Sequence, residues 1–209
     1  MIVLGITGGL GTGKSTVAKL FGRSGAAVLD ADEITHELMR PGRVAWRRIV
    51  QRFGRDVIGP DRALDRRKLS ARVFRDPKAR RQLEAIVHPQ VRRELMRRLS
   101  RLSRAGRVKV AAVEIPLLAE TGSRALVDWV VVVTAPPELV RRRLRARGWL
   151  EDEVARRMAA QWDVSAKVEL ADLVIDNSDG LERTRKQVRQ AWKQLVKVTC
   201  KRRASISRP

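Results

Sequence analysis

Cysteine, histidine, tyrosine and acidic residues are scarce in this chain, and each shortage removes a class of function. A single cysteine, Cys200, in 209 residues excludes an internal disulfide framework and a cysteine-built zinc cage. The two histidines, His36 and His88, do not make a histidine-rich metal site. Tyrosine is absent, and three Phe and five Trp give no interleaved platform for stacked bases. The longest apolar run, Trp129–Val133, is far shorter than the roughly 18–20 residues of a membrane span. Met1–Thr7 has no basic segment before its apolar residues and runs straight into glycines, so it reads as a strand and not as a secretory leader. What remains is a cytoplasmic globular protein of one sizeable domain, with 44% hydrophobic residues to build a core.

Lys and Arg number 45 against 23 Asp and Glu, a net charge of +22. Such a surface attracts polyanions, although arginines spread along solvated helix faces give the same total. The imbalance is sharpest at the C-terminus, where Arg183–Pro209 holds ten basic residues and no acidic one. Residues 201–209 read as a basic tail, either a polyanion contact or a solubilising segment. Nothing here makes nucleic acid an obligatory partner.

Along the chain the hydrophobic period changes twice. Ile2–Thr7 is a buried-strand run that ends at glycines; Val17, Leu20 and Phe21 then recur at helical spacing until Gly25. Ala26–Leu29 is a second short strand, ending in Asp30-Ala31-Asp32. Helical faces follow at Ile34 and Leu38, at Trp46, Ile49, Val50 and Phe53, and at Leu69, Val73 and Phe74. Asp76-Pro77 opens a helix, which His88-Pro89 is expected to close before a second helix carrying Val91, Leu95, Leu99 and Leu102. Strand patterns return at Val108–Val113, Trp129–Val133 and Leu173–Ile175, with helices over 138–147, 151–162 and 181–198. Strands alternating with helices predict an α/β protein with a central parallel sheet, interrupted by a helical insertion over about 33–106.

Gly8-Gly9-Leu10-Gly11-Thr12-Gly13-Lys14-Ser15 fits G-x-x-x-x-G-K-[ST], with a strand before it and an amphipathic helix after it. Glycines let the backbone turn its N–H groups inward around an anion, and the helix N-terminus adds further donors. Lys14 is placed to reach the β- and γ-phosphates and the Ser15 hydroxyl to ligate Mg²⁺. The loop points to a nucleoside triphosphate without fixing its fate. No N-K-x-D guanine motif occurs, and the strand before Ile115 ends in Glu114 rather than in Asp-Glu. A small-molecule kinase whose insertion binds the acceptor fits best.

Asp30 and Asp32 close the second strand, where open α/β sheets bind ligands. Each reads either as a helix N-cap or as a carboxylate for an attacking hydroxyl or for Mg²⁺. Glu114 is either a Walker-B-like magnesium group or an ordinary strand end. Arg141, Arg142, Arg143, Arg145 and Arg147 form a basic helix that reads either as a solvated surface helix or, better behind a phosphate loop, as a lid over about 138–162, because arginine forks neutralise transferring phosphoryl groups. His88 reads as structural or as a ligand.

In order, Ile6–Thr16, Asp30-Ala31-Asp32, Phe53-Gly54, Leu64-Asp65-Arg66, His88-Pro89, Pro116-Leu117-Leu118-Ala119-Glu120 and Asp176-Asn177 resemble the dephospho-CoA kinase family. The resemblance runs from Gly5 to about Asn177. It implies a P-loop kinase core with a helical CoA-binding insertion and an arginine-bearing lid, residues 1–200 forming the kinase domain. It also implies ATP-dependent phosphorylation of the ribose 3′-hydroxyl of dephospho-CoA, with Mg²⁺. By the same resemblance Asp32 is the base, and Gly9, Leu10, Gly11, Thr12, Gly13, Lys14, Ser15 and Thr16 hold ATP. Arg143, with Arg147 as a second candidate, meets the ATP phosphates, and Asn177 lies toward the adenine. His88, Pro116, Leu117, Leu118 and Glu120 fall on the acceptor side. Two features depart from the family: Glu114 stands where Asp or a neutral residue is common, and Asp61-Arg62-Ala63-Leu64 replaces an Asp-Gly turn. The nearest rival is a nucleoside or nucleoside-monophosphate kinase; a rival of another class is a P-loop ATPase that binds nucleic acid.

Overall fold

The computed structural model describes residues 1–116, 118, 123–159 and 164–206, and for 157 and 199–206 the backbone alone. Leu117 and Glu120, the end of the lid span at 160–162, and residues 207–209 of the tail lie outside the described residues. The chain divides into two compact units, Met1–Asp30 with Ser100–Pro209, and Ala31–Leu99.

The first unit is built on five parallel strands: β1 (Ile2–Gly8), β2 (Ala27–Asp30), β3 (Val110–Glu114), β4 (Trp129–Thr134) and β5 (Leu173–Asp176), in the order β2-β3-β1-β4-β5. The three inner strands are apolar runs because both faces of a parallel sheet are covered. β3 is buried along its whole length, whereas the edge strands expose Val28 and Val174. On one face α1 (Lys14–Arg23) and α9 (Leu181–Ile206) close a core of Ile2, Leu4, Ile6, Val17, Phe21, Val188 and Leu195. Because the strands are parallel, their carboxyl ends Gly8, Asp30, Glu114, Thr134 and Asp176 share one edge.

After β4 come α6 (Pro137–Arg145), α7 (Glu151–Ala159) and α8 (Val164–Glu169). α6 starts with Pro137 in its first turn, where a missing N–H costs nothing. Val140, Leu144 and Val154 form a small cluster with Leu10 and Trp149. α8 carries the buried Lys167 and is too short to show a period, so the sequence gives no sign of it. α9 continues past Val198 to Ile206, so the first part of the expected tail is helix.

The second unit is helical: α2 (Ala31–Leu38), α3 (Val44–Phe53), α4 (Arg66–Arg75) and most of α5 (Pro77–Ala105), around Ile49, Phe53, Val57, Leu69, Ala79 and Val87. Two expectations fail here. His88-Pro89 does not end a helix, because α5 runs through it. An interior proline costs about 3 kcal/mol through a lost hydrogen bond and a ring clash. Here the apolar stripe Val87, Leu95 and Leu99 is buried on both sides of Pro89, and the buried Gln90 side chain donates to the Ile86 carbonyl at 3.2 Å. Packing overrides the local rule. Phe74 is the second failure: it is 60% exposed and belongs to no core face, while Leu69 alone in α4 is buried. In the loop that replaces the Asp-Gly turn, Arg62 adopts φ 61°, a conformation that glycine takes more easily. Asp61 accepts the Ala63 N–H at 3.1 Å and braces it.

Candidate active site

The site is assembled at the carboxyl edge of the first unit's sheet. β1 ends in Gly8, and a Cβ there would lie 2.3 Å from the Val133 carbonyl, so the loop leaves the sheet where only glycine fits. The Thr12 hydroxyl and N–H both donate to the Gly9 carbonyl, at 2.9 and 3.4 Å, which tightens the loop. Gly11 faces Val140 and Leu144 of α6. α6 therefore packs on the loop through its apolar side.

Lys14 is buried and curls back over the loop. Its Nζ donates to the Gly9 and Gly8 carbonyls at 2.9 and 3.3 Å. These bonds hold the ammonium over the glycine loop. Ser15 is exposed, and its hydroxyl donates to Glu114 Oε1 at 3.1 Å. Glu114 pairs in register with Ile6 of β1 and Asp30 of β2, so two carboxylate-bearing strands end beside the loop. Thr16 follows in the first turn of α1, half-buried.

Asn177, just beyond β5, closes the other side. Its Nδ2 donates to the Thr12 carbonyl at 2.8 Å. Arg143 donates to the same carbonyl at 3.4 Å and to the Asn177 carbonyl at 2.8 Å. Burial, and after it the charges of Arg142 and Arg147, pulls the Arg143 guanidinium below its ordinary value, yet an arginine stays cationic at neutral pH. Among the arginines of α6 and the turn after it, helical phase separates Arg143 from its neighbours: it is half-buried, whereas Arg141, Arg142 and Arg147 are exposed.

Gly13 is the tightest point. It adopts φ 99°, and a Cβ on it would stand 2.1 Å from Asn177 Nδ2. Gly13→Ala is expected to weaken ADP binding roughly tenfold or more, through strain in the loop and displacement of Asn177. Calorimetric titration with ADP checks this; unchanged affinity in the variant would show that neither contact shapes the site.

Of the residues expected on the acceptor side, Pro116 sits by the loop strand, its carbonyl accepting the Thr7 hydroxyl at 3.2 Å. Leu118 is fully buried against Gly5, so it anchors its segment and presents no surface to a ligand. Asp32 is exposed in the first turn of α2, inside the helix and not at its N-cap, which leaves Asp30 directly before the helix. His88 is exposed within α5. Both belong to the helical unit. The sequence did not single out Thr184, which is fully buried and bonded to Asn177 Oδ1 at 2.9 Å. No local pattern marks a threonine inside a basic amphipathic helix.

The model of the dephospho-CoA kinase family matches residues 2–183. A dephospho-CoA kinase of Symbiobacterium thermophilum is 46% identical over 92% of this chain and 81% of its own length. One from Moorella thermoacetica is 42% identical over 93% of this chain and 92% of its own. Among solved structures, TT1252 from Thermus thermophilus superposes with a TM-score of 0.79 at 37% identity, over 91% of this chain and 95% of that one.

Proposed function

The chain belongs to the dephospho-CoA kinase family, and we propose from that premise how its own residues perform the reaction. The reaction moves the γ-phosphoryl group of ATP to the ribose 3′-hydroxyl of dephospho-CoA, giving coenzyme A and ADP, the last step of coenzyme A synthesis. The observation that carries the assignment of the nucleotide side is the loop itself, with Lys14 folded over its mouth and Ser15 paired to Glu114 beside it.

The loop N–H groups from Gly9 to Thr16 bind the triphosphate, and Lys14 exchanges its two carbonyl partners for β- and γ-phosphate oxygens. Arg143 has little distance to travel, since its guanidinium already reaches Thr12 at the loop. Arg147, exposed in the turn that closes α6, is the second phosphate contact from the 138–162 lid. Asn177 borders the loop end toward the nucleoside. On the acceptor side, the helical insertion with His88 binds dephospho-CoA together with Pro116, Leu117 and Glu120 of the segment that the buried Leu118 anchors without itself reaching the ligand. The family resemblance is what supports this half of the assignment.

Asp32 accepts the 3′-hydroxyl proton as that oxygen bonds to the γ-phosphorus and the bond to the β-phosphate oxygen breaks. Its support is its place two residues after the carboxyl end of β2, in the first turn of α2. Catalysis is then largely positioning and charge neutralisation, as phosphoryl transfer requires.

A hydroxyl and a carboxylate 3.1 Å apart at the loop are hard oxygen donors of the kind that suit Mg²⁺. Ser15 would hold the ion, with Glu114 beside it. Bound there, Mg²⁺ would neutralise charge shared by the β- and γ-phosphates. Glu114→Gln is expected to raise the Mg²⁺ concentration for half-maximal rate by roughly tenfold, the scale of losing a supporting group near a metal. A Mg²⁺ titration of turnover reads this, and an unmoved midpoint would reduce Glu114 to a Ser15 partner.

The acceptor atom is tested by ADP release with dephospho-CoA against its 3′-deoxy analogue. Turnover is expected with the hydroxyl and not without it; equal rates would refute the assignment. A cytoplasmic location belongs to the same reading, supported by the lone cysteine and by the finding that no described helix is long and apolar enough to cross a membrane. The basic tail is read as an accessory polyanion contact.

A further inference from the structure

Two polar side chains on α9, one turn apart, are both spent on the Asp176-Asn177 dipeptide. Gln187 uses both ends of its amide on Asp176: Oε1 accepts the backbone N–H at 2.9 Å and Nε2 donates to the carbonyl at 2.7 Å. Thr184 lies three residues earlier, on the same helix face. Its hydroxyl donates to Asn177 Oδ1 at 2.9 Å, with the Gly180 carbonyl farther off at 3.5 Å.

Asn177 is thereby committed in four directions. Its N–H donates to the Thr134 carbonyl at 2.9 Å and its carbonyl accepts from Arg143 at 2.8 Å. Oδ1 takes the Thr184 hydroxyl, and Nδ2 donates to the Thr12 carbonyl at 2.8 Å. Thr12, Asn177 and Thr184 are all buried, at 2%, 7% and 0% exposure, so water cannot replace a lost partner cheaply.

The orientation of the amide follows from its neighbours. The Thr12 carbonyl only accepts, so it requires the NH₂ end; that leaves Oδ1 facing α9, where it needs a donor. Thr184 is that donor. Without the hydroxyl, Oδ1 would be stranded in a buried position. The amide would turn or retreat, and the tie to Thr12, two residues before Lys14, would loosen. Gly13 has no side chain to hold the amide at that point, and its bare backbone is what admits Nδ2 so closely.

We infer that Thr184 is a positioning residue of the nucleotide site, acting through the Asn177 amide to fix the Thr12 end of the phosphate loop. The inference rests on the reading of that loop as the ATP site. It adds a residue that touches neither nucleotide nor acceptor.

The test compares Thr184→Val, which keeps the shape and removes the hydroxyl, with Thr184→Ser, which keeps the hydroxyl. Calorimetric titration with ADP and Mg²⁺, with no acceptor present, reads the nucleotide site alone. Thr184→Val is expected to weaken ADP roughly tenfold while leaving KM for dephospho-CoA unchanged, and Thr184→Ser to return to within about twofold of the unsubstituted protein. In an Asn177→Ala background, Thr184→Val is expected to cost nothing further, because the two act in series. Unchanged ADP affinity in a folded Thr184→Val protein overturns the inference, as does a loss that serine does not restore or one that simply adds to Asn177→Ala.

Should the valine variant not fold, the Asn177 side-chain amide protons decide the matter in the unsubstituted protein. Slow hydrogen exchange by NMR supports the clamp, and exchange at the rate of a free amide overturns it. Failure of the acceptor assignment would look different: the unsubstituted protein would bind ADP yet not turn over dephospho-CoA, and the Thr184 comparison would still read out.

Discussion

Lys14→Ala is expected to lower kcat/KM for ATP by roughly a thousandfold or more, the scale seen when a preorganised charge at a transition state is removed. Lys14 is buried, and its ammonium sits 2.9 Å from the Gly9 carbonyl, so the charge is held in the nest before any nucleotide arrives. Little reorganisation is needed when phosphate oxygens replace the carbonyls. Its stem also fills buried space that alanine would leave open, so the variant's thermal midpoint should be measured beside its rate. A folded Lys14→Ala protein with kcat/KM near that of the unsubstituted enzyme would remove the loop from the mechanism.

Asp32→Asn carries the second large effect. The substitution keeps the shape but removes the ability to accept a proton, and a positioned general base is worth roughly a hundred- to ten-thousandfold in rate. The expected result is a fall of that size in kcat with ADP affinity unchanged, because the proposed mechanism gives Asp32 the acceptor hydroxyl and not the nucleotide. The competing role is structural. Asp32 and Glu33 stand in the first turn of α2, where negative charge complements the helix dipole. That role predicts a lower thermal midpoint and an intact kcat, so measuring both on one preparation separates the two.

The parts of this fold that were legible in the sequence are those encoded locally. β1, the glycine loop and α1 form one contiguous signal, and the apolar runs of β3 and β4 announce strands buried on both faces. The roles proposed for Ser15 and Lys14 are read from the same stretch. Pro89 departs from expectation because the rule for an interior proline is local, whereas the burial of Val87, Leu95 and Leu99 that sustains α5 is not. Phe74 departs from expectation because helical spacing gives a face without saying whether anything covers it.

The closing side of the site was the least legible. Asn177 meets Thr12 across 165 positions of sequence, and Arg143 meets it across 131. Neither distance leaves a trace in any window of the chain. The resemblance to the family pointed to Arg143 and Asn177, but their common partner, the Thr12 carbonyl, is a property of the folded sheet edge. Thr184 had neither a motif nor a resemblance to mark it. A buried hydroxyl in α9 becomes meaningful only when β5 delivers Asn177 to it.

The central claim is the reaction itself. The measurement that tests it most directly is ADP release with ATP and Mg²⁺ across dephospho-CoA, AMP, CMP, adenosine and RNA, with the product weighed by mass spectrometry. Turnover is expected with dephospho-CoA alone, giving a product heavier by one phosphate. Turnover with a nucleotide in its place, or hydrolysis stimulated by RNA with dephospho-CoA left unmodified, would contradict it.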